Sequence, residues 1–152
     1  MCVKFFLCPR FAIHSPSEVD FIEIHAAHGY LLHSFVSPLS NTRDDIYGGQ
    51  PLENRLRVIS TLVQEVRKVW SGPLFVRISA TDWAEGSEKS TDGKWLQWGI
   101  EQSKILVARL QEFGVDLVDC SSGGNLAAEV IPPQPGYQAS GHGTLSCSVM
   151  MR

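Results

Sequence analysis

The sequence predicts an α/β fold of parallel strands joined by helical crossovers. Three observations carry that prediction: three short apolar runs edged by Gly, Pro or Asp, two amphipathic stretches that separate them, and unusual polar residues at the carboxyl end of each run. A strand, helix, strand, helix, strand order with right-handed crossovers leaves either an open α/β sheet or a piece of a (β/α)8 barrel. In both architectures function collects at the carboxyl ends of the strands. The polar residues in question are His25 and His28, then Arg77 and Asp82, then the stretch 119–125.

The first strand is expected at residues 21–25, where Phe21, Ile22, Glu23 and Ile24 alternate and form a rigid platform for His25, His28 and Tyr30. The link that follows, residues 26–51, is a long polar loop closing on Gly48-Gly49. Its length far exceeds the roughly 2 to 6 residues of an ordinary βα connection, and such loops are usually functional or disordered. A helix is expected over 52–70, with Leu52, Leu56, Ile59, Leu62, Val63, Val66 and Trp70 on one stripe and Ser71-Gly72-Pro73 as its stop. The second strand is LFVRIS, residues 74–79. Beyond it Trp83, Trp95 and Trp98 bracket the hydrophilic stretch 85–94, which reads as a solvated loop with the tryptophans as packing residues. A second helix is expected over 99–113, with Ile100, Ile105, Leu106, Val107, Leu110 and Phe113 apolar, and a third strand over 115–120. All three strands read as centrally buried, and Pro132 to Gly136 as a stiff exposed turn.

Composition narrows the function classes. A chain of 152 residues, 43% hydrophobic and 19% charged, is one globular domain by size. Sixteen acidic against thirteen basic residues leave a net charge of -3, and no face or tail gathers Lys and Arg, so nucleic acid is not an expected partner. Cys2, Cys8, Cys120 and Cys147 form no CxxC pair and read as free thiols in a reducing compartment. Pro9 and Arg10 break the opening apolar run well short of the roughly 20 residues of a membrane span, so a soluble, cytoplasmic chain with no membrane contact is expected.

Each polar cluster has more than one reading. Two histidines three residues apart can donate paired hydrogen bonds to an oxygen, bind zinc, or serve structure alone. His33 offers a third ligand, but HAAHGYLLH lacks the glutamate of HExxH and no Asp or Cys stands at ligand spacing, so no metal is expected. Tyr30 can give a proton to a carbanion-like centre, or be a half-buried aromatic with its hydroxyl in water. Arg77 sits between Val76 and Ile78 and, if buried, needs an anionic partner: a barrel-facing carboxylate or a bound cofactor. The glycines of Ser121-Ser122-Gly123-Gly124-Asn125 let backbone amides approach an anion, but no helix pattern follows, and a tight turn is the plainer reading.

The run from His25 to Phe35, followed by Ser37-Pro38-Leu39-Ser40-Asn41, Tyr47-Gly48-Gly49, Leu52-Glu53-Asn54-Arg55 and Phe75-Val76-Arg77-Ile78-Ser79, resembles the old yellow enzyme family of flavin oxidoreductases. The resemblance extends from about Val19 to Tyr137 and has the HxxH form of the substrate motif found in the bacterial-type branch. It implies FMN at the carboxyl end of a (β/α)8 barrel, NAD(P)H as reductant, and an activated alkene, an enone or nitro compound, as substrate. It also implies that His25 and His28 bind the substrate oxygen, that Tyr30 is the catalytic proton donor, and that Arg77 binds the flavin at its pyrimidine edge.

A complete barrel takes about 250 residues. The chain is therefore expected to be a fragment: a partial TIM barrel of about three central strands and two helices over residues 17–137, with tails 1–16 and 138–152 outside the resemblance. Three parallel strands alone would leave two open edges and part of the helix-facing apolar surface uncovered, which favours self-association. Two functions follow from this: an FMN-dependent ene-reductase with an incomplete site, or a non-catalytic remnant or interaction module without cofactor.

Overall fold

A computed structural model of the chain describes residues 20–131 and the strand Val149–Met150. The expected tails 1–16 and 138–152, apart from that strand, lie outside the described residues, as do Cys2, Cys8, Cys147 and the turn at 132–136. β1 (Ile22–Ala26), β2 (Leu74–Ser79) and β3 (Leu117–Ser121) are parallel and adjacent in that order, and β4 (Val149–Met150) lies antiparallel on the far edge of β3. Three helices accompany them: α1 (Leu31–Val36), α2 (Leu52–Val69) and α3 (Ile100–Glu112). Strands and crossover helices fall within two residues of their expected positions.

The period of two along each strand divides the sheet into unlike faces. Ile24, Ala26, Leu74, Val76, Ile78, Val118 and Cys120 form one face and are buried with Leu56, Ile59, Val63, Val66, Leu106 and Leu110 of the helices. The other face carries Glu23, His25, Phe75, Arg77, Leu117 and Asp119, none of them buried, with Phe75 stacked on the exposed ring of Phe21 at 5.1 Å. The strands are thus buried on one side only, not centrally. The uncovered surface is the face away from the helices, not the helix-facing one. β4 also pairs with the start of β3, at Leu117 and Val118, so among the described residues the outer strands of the sheet are β1 and β4.

The long link after β1 is neither a plain loop nor loose. Six of its residues form α1, which buries Leu32, His33 and Val36, and a helix this short is below what periodicity reveals. Beyond α1, Asn41 donates through Nδ2 to the carbonyls of Phe35 (2.6 Å) and Tyr47 (2.8 Å), and Asn54 donates to that of Gly48 (3.2 Å). Side chains take the place of a backbone ladder, as buried carbonyls require.

At the opposite end of the sheet Arg67 serves as a tie. Its guanidinium donates to the carbonyls of Gly114, Trp70 and Gly72 and lies 2.5 Å from Asp116, which in turn accepts the Leu74 amide. One side chain near the end of α2 thereby joins the starts of β2 and β3.

Between the helices and the carboxyl end of the sheet the interior is polar. Arg55 is fully buried, donates to the carbonyl of Val36 and, at 2.6 Å, to Oε1 of Gln102, whose Nε2 donates to Gln97. Burial pulls its pKa down to about 10, so it stays charged at neutral pH. Ser103 donates to the Ala80 carbonyl at 2.8 Å. Gln102 and Ser103 thus occupy the inner face of α3, while Ile105, expected on the apolar stripe, is 44% exposed. No helix among the described residues is long and apolar enough to cross a membrane.

Replacing Arg55 leaves two buried acceptors without their donor. Arg55→Met is expected to destabilise the chain by about 2–4 kcal/mol, and the exposed neighbour change Arg57→Met by no more than about 0.5 kcal/mol, measured by urea unfolding.

Candidate active site at the carboxyl end of the sheet

Register places the polar residues of the open face side by side. His25 of β1 is level with Arg77 of β2, and Arg77 with Asp119 of β3. Arg77 donates through Nε to Asp119 Oδ2 at 2.5 Å, with Nη2 at the same distance, and Glu23 stands 3.9 Å away. Its side chain is 40% exposed, because strand alternation turns it away from the helices that bury Val76 and Ile78. The two carboxylates, Asp119 foremost, raise its pKa. The guanidinium is therefore paired but not sequestered.

Past β1 the chain turns sharply. His28 and Gly29 are both left-handed, with φ of 58° and 73°. For glycine this is free, but for histidine it is a strained backbone that neighbours must hold in place. The His28 amide donates to Ser79 Oγ at 2.9 Å, and that hydroxyl donates to the carbonyl of Gly123 at 2.6 Å. Nε2 of His28 lies 2.6 Å from Ser121 Oγ. A Cβ on Gly29 would fall 2.3 Å from Oδ1 of Asn125, so no larger residue fits there.

This turn brings three of the sequence-selected residues together. The His25 ring is 5.3 Å from that of His28 and 5.4 Å from that of Tyr30, whose side chain is well exposed at the start of α1. Arg77 is the cross-strand neighbour of His25 and completes the set. Burial lowers the pKa of His28, and the nearby His25, Arg77 and His33 lower it further, so His28 is neutral at neutral pH. A neutral imidazole beside a second histidine and a phenol can donate hydrogen bonds to an oxygen that gains charge.

His33 does not join this group. It faces the interior, where Nδ1 accepts the Gly29 amide at 2.7 Å and Nε2 lies 3.0 Å from Oδ1 of Asp82, close to the carboxylate but out of line for a hydrogen bond. Asp82 is fully buried and accepts at Oδ2 from Ser37 Oγ (2.6 Å) and the Trp98 amide (2.8 Å). No three His, Cys, Asp or Glu side chains converge on a metal position among the described residues. From sequence Asp82 is only a polar residue past a strand, and Ser79 and Ser121 do not stand out as the posts on which His28 is hung. A polar residue ending an otherwise apolar strand was the available signal for both serines.

The glycine loop after β3 folds onto the same end. The Gly123 amide donates to the Thr81 carbonyl at 2.7 Å, Gly123 has a φ of 83°, and Asn125 packs against Gly29. Of the three tryptophans that bracket residues 85–94, Trp98 is buried and donates to the Ser79 carbonyl at 2.8 Å, while Trp95 lies under the Lys89 ammonium at 4.1 Å.

The sequence profile of the NADH:flavin oxidoreductase / NADH oxidase family matches residues 3–137. An NADPH dehydrogenase of Bacillus subtilis is 50% identical over 122 residues, covering 80% of this chain and 32% of that protein. One from Halalkalibacterium halodurans is 47% identical over 123 residues, covering 78% and 32%. The chain thus spans about a third of the length of these relatives. A solved 2-naphthoyl-CoA reductase in complex with 2-naphthoyl-CoA superposes with a TM-score of 0.59 at 28% identity, over 70% of this chain and 15% of the other. A histamine dehydrogenase from Rhizobium sp. 4-9, 24% identical with a TM-score of 0.55 over 70% and 14%, shares the fold.

The lowered pKa of His28 has a consequence for stability. Folded His28 releases its proton below 6.5, its ordinary value, so between the two pKa values the unfolded chain binds more protons. Stability is expected to fall as pH drops through 6.5 and to level off below the folded pKa, and His28→Gln should remove this part of the decline in urea unfolding series. Proton NMR of the imidazole should show titration below 6.5.

Proposed function

Because the chain belongs to the NADH:flavin oxidoreductase / NADH oxidase family, the family of old yellow enzyme, we propose that it carries the substrate clamp and one flavin contact of an FMN-dependent NAD(P)H oxidoreductase acting on activated alkenes. The convergence of His25, His28 and Tyr30 at the end of β1, beside Arg77, is the observation that supports this reading most. The donor set suits the cofactor: an accessible guanidinium on an open sheet face matches an electron-rich ring edge, and it is held upright by Asp119 and Glu23.

In this reading Arg77 would hold the pyrimidine edge of FMN, and bound FMN supplies hydride obtained from NAD(P)H. His25 and His28 would donate hydrogen bonds to the carbonyl or nitro oxygen of the alkene. Such donors draw electron density toward that oxygen and stabilise the charge it gains, an effect typically worth about 10²–10³ in rate for one donor. The low pKa of His28 suits this task, since a neutral ring polarises the oxygen without surrendering a proton to it. The proton for the carbon next to the activating group would come from the Tyr30 hydroxyl, which the exposed position of that side chain leaves within reach of a ligand.

The alternative is a non-catalytic remnant without cofactor, and titration with FMN separates the two. A chain that retains no flavin after saturation with FMN and removal of the excess overturns the enzyme reading. With flavin bound, Arg77→Ala is expected to weaken its retention. His25→Ala combined with His28→Ala should spare it and weaken binding of a phenol, followed by the shift of the flavin spectrum, by roughly ten- to a hundredfold. The reverse pattern overturns the assignment of roles.

The open edge of β1 supports pairing with a second copy. The Ile22 amide turns inward to the Pro73 carbonyl, so Glu23 and His25, one residue to either side of Ile24, present their amides to the open edge. Antiparallel pairing about a two-fold at Ile24 sets Glu23 of each copy opposite His25 of the other, on the open face. Sedimentation is expected to show a dimer that Glu23→Pro, which removes an outward amide and spares the β2 ladder, returns to monomer.

A further inference from the structure

We infer that His33 and Asp82 act as a positioning pair, fixing the His28–Gly29 turn, and through it His28 and Tyr30, by holding the His33 imidazole in the tautomer protonated on Nε2. Nδ1 accepts the Gly29 amide at 2.7 Å and must therefore keep its lone pair. The ring proton then belongs on Nε2, 3.0 Å from Oδ1 of Asp82: the contact is out of line for a hydrogen bond, but the nearby carboxylate charge favours a proton on that nitrogen. Asp82 cannot swing away, because its other oxygen accepts from Ser37 and from the Trp98 amide. With exposures of 1% and 0%, the pair is also shielded from water that would offer either group another partner.

The turn needs such support. Two successive left-handed residues, one of them histidine, form only when their amides are claimed by groups in fixed places. Ser79 on β2 claims that of His28, and His33 on α1 claims that of Gly29. The next residue, Tyr30, is the cap of α1, so the direction of the turn sets where the phenol stands. His33 sits within the interior and works on the site through the backbone. The pair rests on the functional reading only where ligand affinity is concerned.

Asp82→Asn tests this with almost no change in volume. The asparagine oxygen can still accept from Ser37 and Trp98, which leaves its NH₂ facing Nε2 of His33. Donor then meets donor, and the ring is driven to carry its proton on Nδ1, against the Gly29 amide. In a ¹⁵N-labelled chain, His33 of the wild type is expected to show an unprotonated Nδ1, and that of Asp82→Asn a protonated one. Hydrogen exchange at the Gly29 amide should quicken at least about tenfold in the variant. Phenol binding to the FMN-loaded variant should weaken roughly three- to tenfold. His33→Asn, whose amide oxygen can stand near the place of Nδ1, is expected to keep Gly29 protected, and His33→Leu to lose that protection.

A wild-type His33 protonated on Nδ1, or unchanged Gly29 exchange in folded Asp82→Asn, overturns the inference. If Asp82→Asn does not fold, the wild-type tautomer and the contrast of His33→Asn with His33→Leu decide the matter. A chain that takes up no FMN overturns the functional reading alone, and the tautomer and exchange measurements still decide this one.

Discussion

A buried carboxylate is the constraint around which the functional end of this sheet is organised. Asp82, fully buried, would be far too costly to desolvate without partners, and it draws three of them from two segments of the chain. Ser37 comes from the end of α1, the Trp98 amide from the segment leading into α3, and His33 from α1 itself. The link after β1 and the link after β2 are thus drawn to one point. The six-residue α1, too short to hold as an isolated helix, is seated there by its own histidine.

Arg55 answers the same problem from the other side of α1. Its guanidinium gathers the Val36 carbonyl and Gln102, so the end of α1 is pinned both to α2 and to α3. The apolar core beneath is ordinary, with aliphatic side chains of two helices filling one face of a parallel sheet. What is particular to this chain is the polar layer above that core, where Arg55, Asp82, Gln102 and Ser103 tie loops and helix ends together. The candidate site residues His25 and Arg77 then project from the far face of the sheet, which the helices do not cover.

That surface explains why Arg77 could not be resolved from its sequence context. Flanked by Val76 and Ile78 it looked buried, yet strand alternation sends its neighbours to the helices and Arg77 itself to the open face, among Glu23, His25 and Asp119. A run of apolar residues cannot reveal whether a sheet is covered on both faces, since that depends on elements elsewhere in the chain. The same blindness put Ile105 on the inner face of α3, where Gln102 and Ser103 are accommodated because Arg55 and the Ala80 and Gln97 carbonyls satisfy them.

The amino-acid pattern by itself determined the strand and helix order, the positions of the three parallel strands and two crossover helices, and the resemblance that brought His25, His28, Tyr30 and Arg77 forward. Periodicity of two and of 3.6 is local information, and so is a motif. Tertiary structure alone decided that β4 would pair with the start of β3, that one face of the sheet would stay open, and that His33 would turn inward to Asp82 instead of joining the other histidines. Those outcomes rest on partners dozens of residues away along the chain, such as His28 with Ser79 and Ser121, or His33 with Asp82. A buried polar group settles where its partners can reach it, and their positions in space are set only once the chain has folded.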